Sequence, residues 1–513
     1  MKEIPIGIDL GTTFSVIAYL DAYGRPQTIR SAEGEISTPS VVMFEPGPGG
    51  VISANPVVGR AAVGAAAMFP EHVAEMMKRD MGRDTYHRPV AGRNWRPELL
   101  QSFVLAKLKH DAQLAEMPFR RAVITVPAYF NNSRRECTIE AAALADIEPL
   151  AIINEPTAAA LVYGTQHGFV DDGRVAGVER ILVYDLGGGT FDVTLMEIEG
   201  REFRVIGTDG DVELGGRDWD VAIANRIAEE FMAQFRGRDP RLDGRGFQKL
   251  MAEAENAKRM LSNLEQTVIN LEIGGDMLRM PLSRTDFEGL TIDLLERTVF
   301  TSDKVVRDAG LNWGDLTRIL LVGGSTKMPA IARRLEEESG IAASKVLAAD
   351  EAVAHGAAIY AGLLLGAKGI REIIISAPQL EGVSVKDICS HSLGMLVKDR
   401  KTRELRDSVI IEKGSRLPAQ GERYYETTVA NQRGIKIRLT EAHQPIFENV
   451  IPLPELSPPL PERSPVRVEF TFDNNGCLEI VVELLRRMQG IQLSASQVIH
   501  QQRIRFVRGE LKS

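Results

Sequence analysis

The sequence predicts an α/β protein with two related lobes, followed by a small all-β domain. The first observation is that strand-like and helix-like patterns alternate up to about residue 375, as in α/β folds. The second is a motif that occurs twice in this region: an apolar strand, an aspartate, a glycine-containing turn and a returning strand. The third is a change after residue 375, where alternating apolar residues separated by turn residues indicate short β-strands.

The repeated motif predicts how the first region is organised. In the first copy, alternating apolar residues over 4–10 precede a turn and a returning strand at 15–20. In the second copy, the strands are expected at 181–184 and 191–198. The two copies are too far apart for a solenoid repeat. We therefore predict two related halves that face each other across a cleft.

The two turns have the composition of phosphate-binding loops. Glycine lets backbone N–H groups approach an anion closely, and threonine hydroxyls add further donors. We expect the turns to hold the two ends of a polyphosphate through Gly11, Thr12, Thr13, Gly187, Gly188, Gly189 and Thr190. Either turn alone could equally be a glycine-rich hairpin with a solvated aspartate, but two turns in the same register favour the binding site.

Carboxylates near these turns predict a cation. Asp9 and Asp185 begin the two turns, Asp192 follows the second, and Glu155 is a further carboxylate that could organise the shell of a cation. Carboxylates beside phosphates are stable only with a cation between them, and Mg²⁺ retains water and tolerates indirect contact. We predict that Asp9, Asp185 and Asp192 organise a magnesium ion mostly through water.

Two further segments are candidates for the nucleoside part of a ligand. After an apolar strand at 319–322, Gly323 and Gly324 can place the backbone flat against an adenosine, or simply form a tight turn before a helix. The segment 248–264 has the periodicity of an amphipathic helix. By periodicity alone, its polar face is an ordinary solvated surface.

Composition restricts the class of protein. The 513 residues are 44% hydrophobic and 26% charged, which is ordinary for a soluble globular protein. With 61 basic and 70 acidic residues the net charge is −9, so neither nucleic acid nor a membrane is expected as a partner. The three cysteines have no metal or redox spacing and the N-terminus has no secretory pattern, which favours the cytoplasm. The apolar stretch 352–367 is too short to span a membrane and is predicted to be a buried helix.

The C-terminal region is predicted to be a β-sandwich. Strands are expected at 435–439, 466–472 and 477–484, with a proline-rich loop at 452–465. The predicted boundaries are residues 1–375 for the nucleotide-binding domain, 376–386 for a linker, 387–490 for the β-sandwich domain and 491–513 for a C-terminal tail.

These motifs closely resemble those of the seventy-kilodalton heat-shock chaperones of the DnaK type. The matching segments are 7–13 (GIDLGTT), 126–130 (VPAYF), 154–160 (NEPTAAA), 185–192 (DLGGGTFD), 214–216 (LGG) and 322–326 (VGGST). A weaker resemblance extends to 387–394 and 470–476. The resemblance implies a two-lobed actin-like ATPase fold followed by the β-sandwich domain, with ATP and Mg²⁺ bound in the first.

The resemblance also implies roles for individual residues. Lys78 resembles the lysine that reaches the γ-phosphate, and Thr190 resembles the threonine that contacts it. Asp9, Asp192 and Asp185 resemble the carboxylates around the metal and the attacking water, while Glu155 and Pro127 resemble a relay to the attached domain. The remaining implied nucleotide-binding residues are Gly215, Gly216, Glu255, Lys258, Ser262, Gly323, Gly324, Ser325 and Lys327. For Glu255, Lys258 and Ser262, this replaces the interpretation from periodicity.

Several positions depart from the family pattern. Lys327 and Asn256 stand where the family usually has arginines, and lysine lacks the planar guanidinium that stacks on adenine. The segment 382–387 lacks the family's run of leucines, so coupling between ATP and the β domain is expected to be weak. The stretch after Leu484 is too short for the family's helical lid, so we expect clients to be held by the β domain alone and released faster.

The sequence therefore favours a chaperone-like ATPase with slow turnover. Its expected partners are unfolded or extended polypeptides, a J-domain co-chaperone and a nucleotide exchange factor. The alternative is an interaction protein in which nucleotide sets the conformation and the β domain docks one dedicated partner. A sugar kinase or filament protein of the same fold is disfavoured because neither explains the β-rich region after residue 386.

Overall fold

The computed structural model divides the chain into two compact units. The first comprises Met1–Tyr129 and Cys137–Val385, and the second comprises Phe130–Glu136 and Lys386–Ser513. The residues described are 3–47, 56–166, 177–345, 350–367, 380–399, 401–402, 404–453, 460–486, 497–507 and 510–512, with the backbone alone for 345, 486 and 497–512. Parts of the predicted linker (376–379), proline-rich loop (454–459) and tail (491–496, 508–509 and 513) lie outside these residues.

The first unit alternates strands and helices. In chain order, the strands up to Lys386 are β1 (Ile6–Asp9), β2 (Phe14–Leu20), β3 (Pro26–Ile29), β4 (Thr38–Pro39), β5 (Val42–Met43), β6 (Val57–Val58), β7 (Val73–Ala74), β8 (Arg121–Val126), β9 (Glu148–Asn154), β10 (Glu179–Leu186), β11 (Phe191–Glu199), β12 (Glu202–Asp211), β13 (Gln266–Ile273), β14 (Asp276–Ser283), β15 (Arg318–Val322), β16 (Ser344–Lys345) and β17 (Ser384–Lys386).

Helices connect these strands. They are α1 (Arg60–Ala65), α2 (Pro97–Leu114), α3 (Asn132–Leu144), α4 (Glu155–Gln166), α5 (Gly216–Gln234), α6 (Gly244–Leu261), α7 (Arg284–Leu290), α8 (Ile292–Asp308), α9 (Pro329–Ser339) and α10 (Ala352–Ala367). Short 3₁₀ helices occur at Pro70–His72, Met77–Asp80, Pro240–Leu242, Trp313–Asp315 and Gly324–Lys327.

Two large sheets of the first unit have the same topology. The first has the order β3-β2-β1-β8-β9, with β4 paired to β2, and the second has the order β12-β11-β10-β15-β16, with β17 beyond β12. In each sheet the first three strands along the chain are antiparallel, and two later strands add in parallel beside the first. The two related halves predicted from the repeated motif are therefore confirmed, and we call them the first lobe and the second lobe.

Two helices cross at close range between the sheets. A Cβ atom added at Gly356 of α10 would lie 1.9 Å from the carbonyl oxygen of Ala158 in α4, so only glycine permits this approach. Most of α10 is buried, which confirms the predicted buried helix at 352–367. No helix among the described residues is both long and apolar enough to cross a membrane.

The second unit contains two β-sheets. Its strands after β17 are β18 (Leu393–Lys398), β19 (Leu405–Ile411), β20 (Ala419–Glu426), β21 (Gly434–Glu441), β22 (Gln444–Pro452), β23 (Pro465–Phe472), β24 (Leu478–Arg486), β25 (Gln497–Val507) and β26 (Glu510–Lys512). The sheet orders are β19-β18-β21-β22 and β20-β23-β24-β25-β26. Alternate side chains of both sheets, such as Ile437, Val468 and Phe470, are fully buried in one hydrophobic core. This arrangement agrees with the predicted β-sandwich.

The structure differs from the predicted division of the chain at three places. The whole described part of the expected tail forms β25 and β26, because β25 pairs with β24 and extends its sheet. At the expected linker, β17 adds to the edge of β12, where Ser384 N donates to Arg201 O at 3.0 Å. The segment Phe130–Glu136 groups with the second unit, since Asn132 N donates to Glu441 Oε1 at 3.1 Å. All three depend on pairings between distant residues.

Candidate functional site

The two aspartate-led turns meet inside the first unit. A Cβ atom added at Gly188 would lie 2.3 Å from Thr13 Oγ1, and one added at Gly189 would lie 2.2 Å from Thr12 Cγ2. The turns belong to different sheets, since Thr12 and Thr13 lie between β1 and β2 and the glycines between β10 and β11. Glycine at both positions is therefore what allows the lobes to approach each other here.

The carbonyl groups of the glycine-rich turn have defined hydrogen-bond partners. The bonds are Gly216 N to Gly187 O at 3.0 Å, Ser325 Oγ to Gly187 O at 2.8 Å, Arg217 N to Gly188 O at 2.8 Å and Arg79 Nε to Gly189 O at 2.8 Å. In a planar trans peptide the carbonyl oxygen and the next N–H point in opposite directions. The N–H groups of residues 188–190 are therefore directed away from these donors. Successive N–H groups held in this way can bind an anion such as a phosphate.

Acidic side chains gather beside the turns. Asp9 ends β1, and Asp185 and Asp192 are cross-strand partners on β10 and β11. Glu155 is the first residue of α4, and its Oε1 lies 2.5 Å from Lys78 Nζ, in an ion pair whose two side chains are almost fully buried. Two further contacts orient the aspartates: Thr125 Oγ1 donates to Asp9 Oδ1 at 3.1 Å, and Tyr129 N donates to Asp192 Oδ1 at 3.0 Å.

The acidic cluster carries unfavourable negative charge. Burial, followed by the charge of Glu155, raises the pKa of Asp9 to about 7 against the opposing effect of Lys78 and a hydrogen bond from Thr125. Burial and then the charges of Glu155, Asp192 and Asp9 raise the pKa of Asp185 well above its ordinary value, again opposed by Lys78. A bound cation would lower both pKa values because it stabilises the ionised carboxylates.

The donor set fits a magnesium ion held indirectly. Among the described residues, no three His, Cys, Asp or Glu side chains are placed to ligate one metal ion together. Magnesium usually keeps several waters and takes only one or two carboxylates together with substrate phosphates. The half-buried Asp9 and the buried Asp185 repel each other, and their carboxylates supply the negative charge that such a hydrated cation requires.

Lys258 of α6 binds the first turn of α5, beside the glycine-rich turn. Its Nζ donates to Gly216 O at 2.9 Å and lies 2.7 Å from Asp220 Oδ1. The apolar face of α6 is buried, which fixes the rotation of the helix and turns the Lys258 side chain towards α5. Asp243 caps the start of α6 by accepting from Gly246 N. A Cβ atom added at Gly216 would lie 2.2 Å from Ser325 Oγ, so Lys258, Gly216 and Ser325 form one cluster beside the turn.

The other predicted nucleoside-binding residues have local partners. Glu255 pairs with Arg259 on the next turn of α6 at 2.6 Å, and Ser262 Oγ donates to Lys258 O at 3.0 Å. Lys327, at the end of the Gly324–Lys327 turn, forms an exposed ion pair with Asp350 at 2.5 Å.

Two glycines complete the predicted set. Gly323 has a φ of +83°, and a Cβ atom there would lie 2.4 Å from Leu186 O. This close packing places the 323–327 turn against the end of β10. At Gly215, a Cβ atom would lie 2.6 Å from the backbone of Gly189, so this position also requires glycine.

Comparison with known proteins identifies the family. A family model described as Hsp70 protein matches residues 5–91 and 87–505. The chain belongs to the Hsp70 family. It is similar to the chaperone protein DnaK of Thermotoga petrophila, with 37% identity over 494 residues, 93% of this chain and 78% of that protein. The chaperone protein DnaK of Halobacterium salinarum is 34% identical over 494 residues, 94% of this chain and 73% of that protein.

Membership of the Hsp70 family confirms the resemblance and the fold class. It makes this chain a chaperone-type ATPase. The sequence analysis did not single out Arg79, Asp218 or Asp220, although all three form hydrogen bonds or ion pairs around the glycine-rich turn. Two signals were present: Arg79 follows Lys78 directly, and Asp218 stands three residues after Gly215, the N3 position of a capping box at the start of α5.

Proposed function

We propose that this Hsp70-family chain binds Mg²⁺-ATP between its two aspartate-led turns and hydrolyses it slowly. The observation that carries the proposal is the contact between these turns beside a buried cluster of acidic side chains and one lysine. The N–H groups of residues 188–190 and the hydroxyls of Thr12, Thr13 and Thr190 are the donors proposed for the phosphates.

The proposed reaction is in-line phosphoryl transfer to water. Magnesium, when bound, neutralises charge on the phosphates, and Asp9, Asp185 and Asp192 are the residues proposed to hold its water shell. Lys78 stabilises the charge on the transferred phosphoryl group, which requires little covalent chemistry from the protein. Asp192 and Asp9 orient the attacking water, because they are the acceptors beside the turns.

Lys78 also connects the reaction to Glu155. The 2.5 Å ion pair is buried, so moving the lysine towards a phosphate leaves Glu155 without its partner at the N-terminus of α4. A buried carboxylate that loses its partner is strongly destabilised. We propose that this exchange, with Pro127 at the end of β8, starts the relay by which ATP binding is sensed.

The nucleoside is proposed to lie between α6 and the turn after β15. Lys258, Ser325 and Gly216 already form one cluster beside the glycine-rich turn. The other proposed contacts are Glu255, Ser262, Gly215, Gly323, Gly324 and Lys327, and their local hydrogen bonds and ion pairs would be exchanged for ligand contacts.

The second unit is proposed to bind extended polypeptide. Its two sheets leave Leu405, Tyr424 and Val450 exposed, and strand edges can bind a peptide through main-chain hydrogen bonds with pockets for alternate side chains. We place the boundary between ATPase and peptide-binding regions at residues 376–386. A J-domain co-chaperone and a nucleotide exchange factor are the proposed partners, and the cytoplasm is the proposed location.

Titration calorimetry and phosphate release test the ATPase proposal. We expect the parent chain to bind ATP with Mg²⁺ and release phosphate, and Lys78→Ala to lose hydrolysis while retaining ATP binding. Lys107→Ala is a matched control, because Lys107 is also a partly buried lysine paired with a carboxylate, Asp111, at 2.6 Å. Unchanged turnover in Lys78→Ala, or equal loss in both variants, would refute the role of Lys78.

A second candidate function is docking of one dedicated partner. The segment 382–387, which lacks the leucine run that couples ATP to peptide binding in the family, favours it. Fluorescent extended peptides should bind the chain, with an affinity that ATP alters only weakly. If no peptide binds with or without ATP while hydrolysis is normal, the dedicated-partner function replaces the chaperone function.

A further inference from the structure

We propose that Arg79 is a positioning residue for ATP hydrolysis. It holds the carbonyl group of Gly189 and thereby directs the backbone N–H of Thr190 towards the phosphate. This inference deepens the proposed function and rests on it. It assigns no contact between Arg79 and the nucleotide.

The side chains of Arg79 and Lys78 extend in different directions from the same short 3₁₀ helix. Lys78 Nζ reaches Glu155 at 2.5 Å, whereas Arg79 Nε donates to Gly189 O at 2.8 Å. The 3₁₀ helix Met77–Asp80 belongs to the first lobe, and Gly189 belongs to the second. One turn of the first lobe therefore supplies both the proposed catalytic lysine and a bond to the proposed phosphate loop.

The hydrogen bond from Arg79 sets the orientation of the peptide group between Gly189 and Thr190. Gly189 O and Thr190 N–H belong to the same trans peptide, so they point in opposite directions. Glycine imposes little restriction on the rotation of this peptide, because Gly189 has no side chain. A donor on the carbonyl oxygen is therefore needed to keep the N–H of Thr190 in one direction.

The other two glycine carbonyls have donors from the second lobe. Gly187 O accepts from Gly216 N and Ser325 Oγ, and Gly188 O accepts from Arg217 N. These donors move with the turn itself. Gly189 O, in contrast, accepts from Arg79, a side chain of the opposite lobe. The direction of the Thr190 N–H therefore depends on the separation of the lobes.

Arg79 is itself held in place by Asp218. Arg79 Nη2 donates to Asp218 Oδ2 at 2.5 Å, and the same oxygen accepts from Gly215 N at 2.8 Å. Asp218 also caps the N-terminus of α5, so its position is fixed by the helix. The guanidinium group can satisfy the carboxylate and the carbonyl together because its donors form a rigid planar fork.

A cavity lies beside this pair. It has a volume of about 770 Å³, and its lining includes Arg79, Asp218 and Arg83. Truncation of Arg79 to alanine would open space for a small planar cation between this cavity and Gly189. Methylguanidinium is such a cation and provides a chemical rescue that a general loss of stability would not show.

The experiment compares Arg79→Ala with Arg83→Ala in the full chain. Arg83 also pairs across the lobes, with Glu213 at 2.9 Å, and pairs with Asp80 at 2.8 Å; neither partner belongs to the glycine-rich turn. We expect kcat of Arg79→Ala to fall roughly 10- to 100-fold, because a misdirected donor no longer favours the transition state. The ADP affinity of Arg79→Ala should stay within about threefold of the parent value, which is less than the roughly tenfold change expected from the loss of a hydrogen bond to the ligand. Arg83→Ala should keep the parent kcat. Methylguanidinium should restore part of the activity of Arg79→Ala, and tetramethylammonium should not.

Parental kcat in Arg79→Ala, or an equal decrease in both variants, would overturn the proposal. Failure of methylguanidinium to restore activity, with folded protein and normal ADP affinity, would also overturn it. Arg79→Lys provides a second variant that keeps the charge, and we expect an intermediate kcat because an ammonium lacks the fork. If the parent chain itself does not hydrolyse ATP, the proposed function fails rather than the assignment of Arg79.

Discussion

Replacing Asp9 with asparagine should stabilise the ligand-free protein while impairing its activity. Burial and the charge of Glu155 raise the pKa of Asp9 from its ordinary value of 3.8 to about 7. This rise corresponds to a cost of about 4 kcal/mol for the ionised carboxylate in the folded state. Because Asp9 retains some contact with water, we expect about half of this value, roughly 2 kcal/mol, to be recovered in Asp9→Asn.

The pH dependence gives the sign of the effect. Between pH 3.8 and about 7, the folded protein binds more protons at Asp9 than the unfolded chain does. The contribution of Asp9 to the free energy of unfolding therefore falls as the pH rises through this range. The advantage of Asp9→Asn should be near zero at pH 4 and complete above pH 7, because asparagine does not titrate.

Thermal unfolding without nucleotide or magnesium measures this difference. At pH 8 the midpoint of Asp9→Asn should lie about 2–5 °C above that of the parent protein. Asp21→Asn is the control, since hydrogen bonds from Arg25 and Tyr23 outweigh the effect of burial and lower the pKa of Asp21. That variant should lose stability at pH 8. A lower midpoint for Asp9→Asn, or the same difference at pH 4 and pH 8, would refute the electrostatic argument.

Three further substitutions follow from the packing. Gly215→Ala should weaken ATP binding at least tenfold by calorimetry, because the new Cβ would lie 2.6 Å from the backbone of Gly189; unchanged affinity would contradict this. Gly421→Ala should lower the unfolding midpoint of the second unit, since its Cβ would lie 2.2 Å from Ile410 O, and an unchanged midpoint would show that β20 can shift. Lys327→Arg should increase ADP affinity severalfold by restoring a planar cation for adenine, whereas equal affinity would place the base elsewhere.

The acidic cluster illustrates a conflict between stability and function. The charge of Glu155 raises the pKa of both Asp9 and Asp185 in the ligand-free protein, and Lys78 partly offsets this effect, together with the hydrogen bond from Thr125 to Asp9. The same charges would be favourable once magnesium and a triphosphate are present, because the cation neutralises them. Strain of this kind is common at functional sites and explains why a stabilising substitution is expected to reduce activity.

The bonds between the two lobes are concentrated on one short segment of the first lobe. Glu75 pairs with Arg217 at 2.9 Å, and Arg83 pairs with Glu213 at 2.9 Å, on either side of the Arg79 contacts. The exposed pair of Arg83 with Glu213 contributes little stability by itself. The two pairs lie near the start of α5, on either side of the Arg79 contacts.

The sequence by itself determined the local elements and the repeated topology. The alternation in β1, the continuous apolar run in β10, the glycine-containing turns after them and the apolar face of α6 each depend on neighbouring residues, so they could be predicted directly. The repeated motif predicted two related lobes, and the ordered motifs predicted the family. Functional motifs formed by neighbouring residues can therefore be recognised without a structure.

The tertiary structure decided what depends on distant residues. The contact of Thr12 with Gly189, the bond from Arg79 to Gly189 and the pairing of β25 with β24 join segments that no local pattern connects. The elevated pKa of Asp9 likewise arises from burial and from a carboxylate on another element. Packing and electrostatics depend on distance in space rather than distance along the chain, and only the folded arrangement fixes those distances.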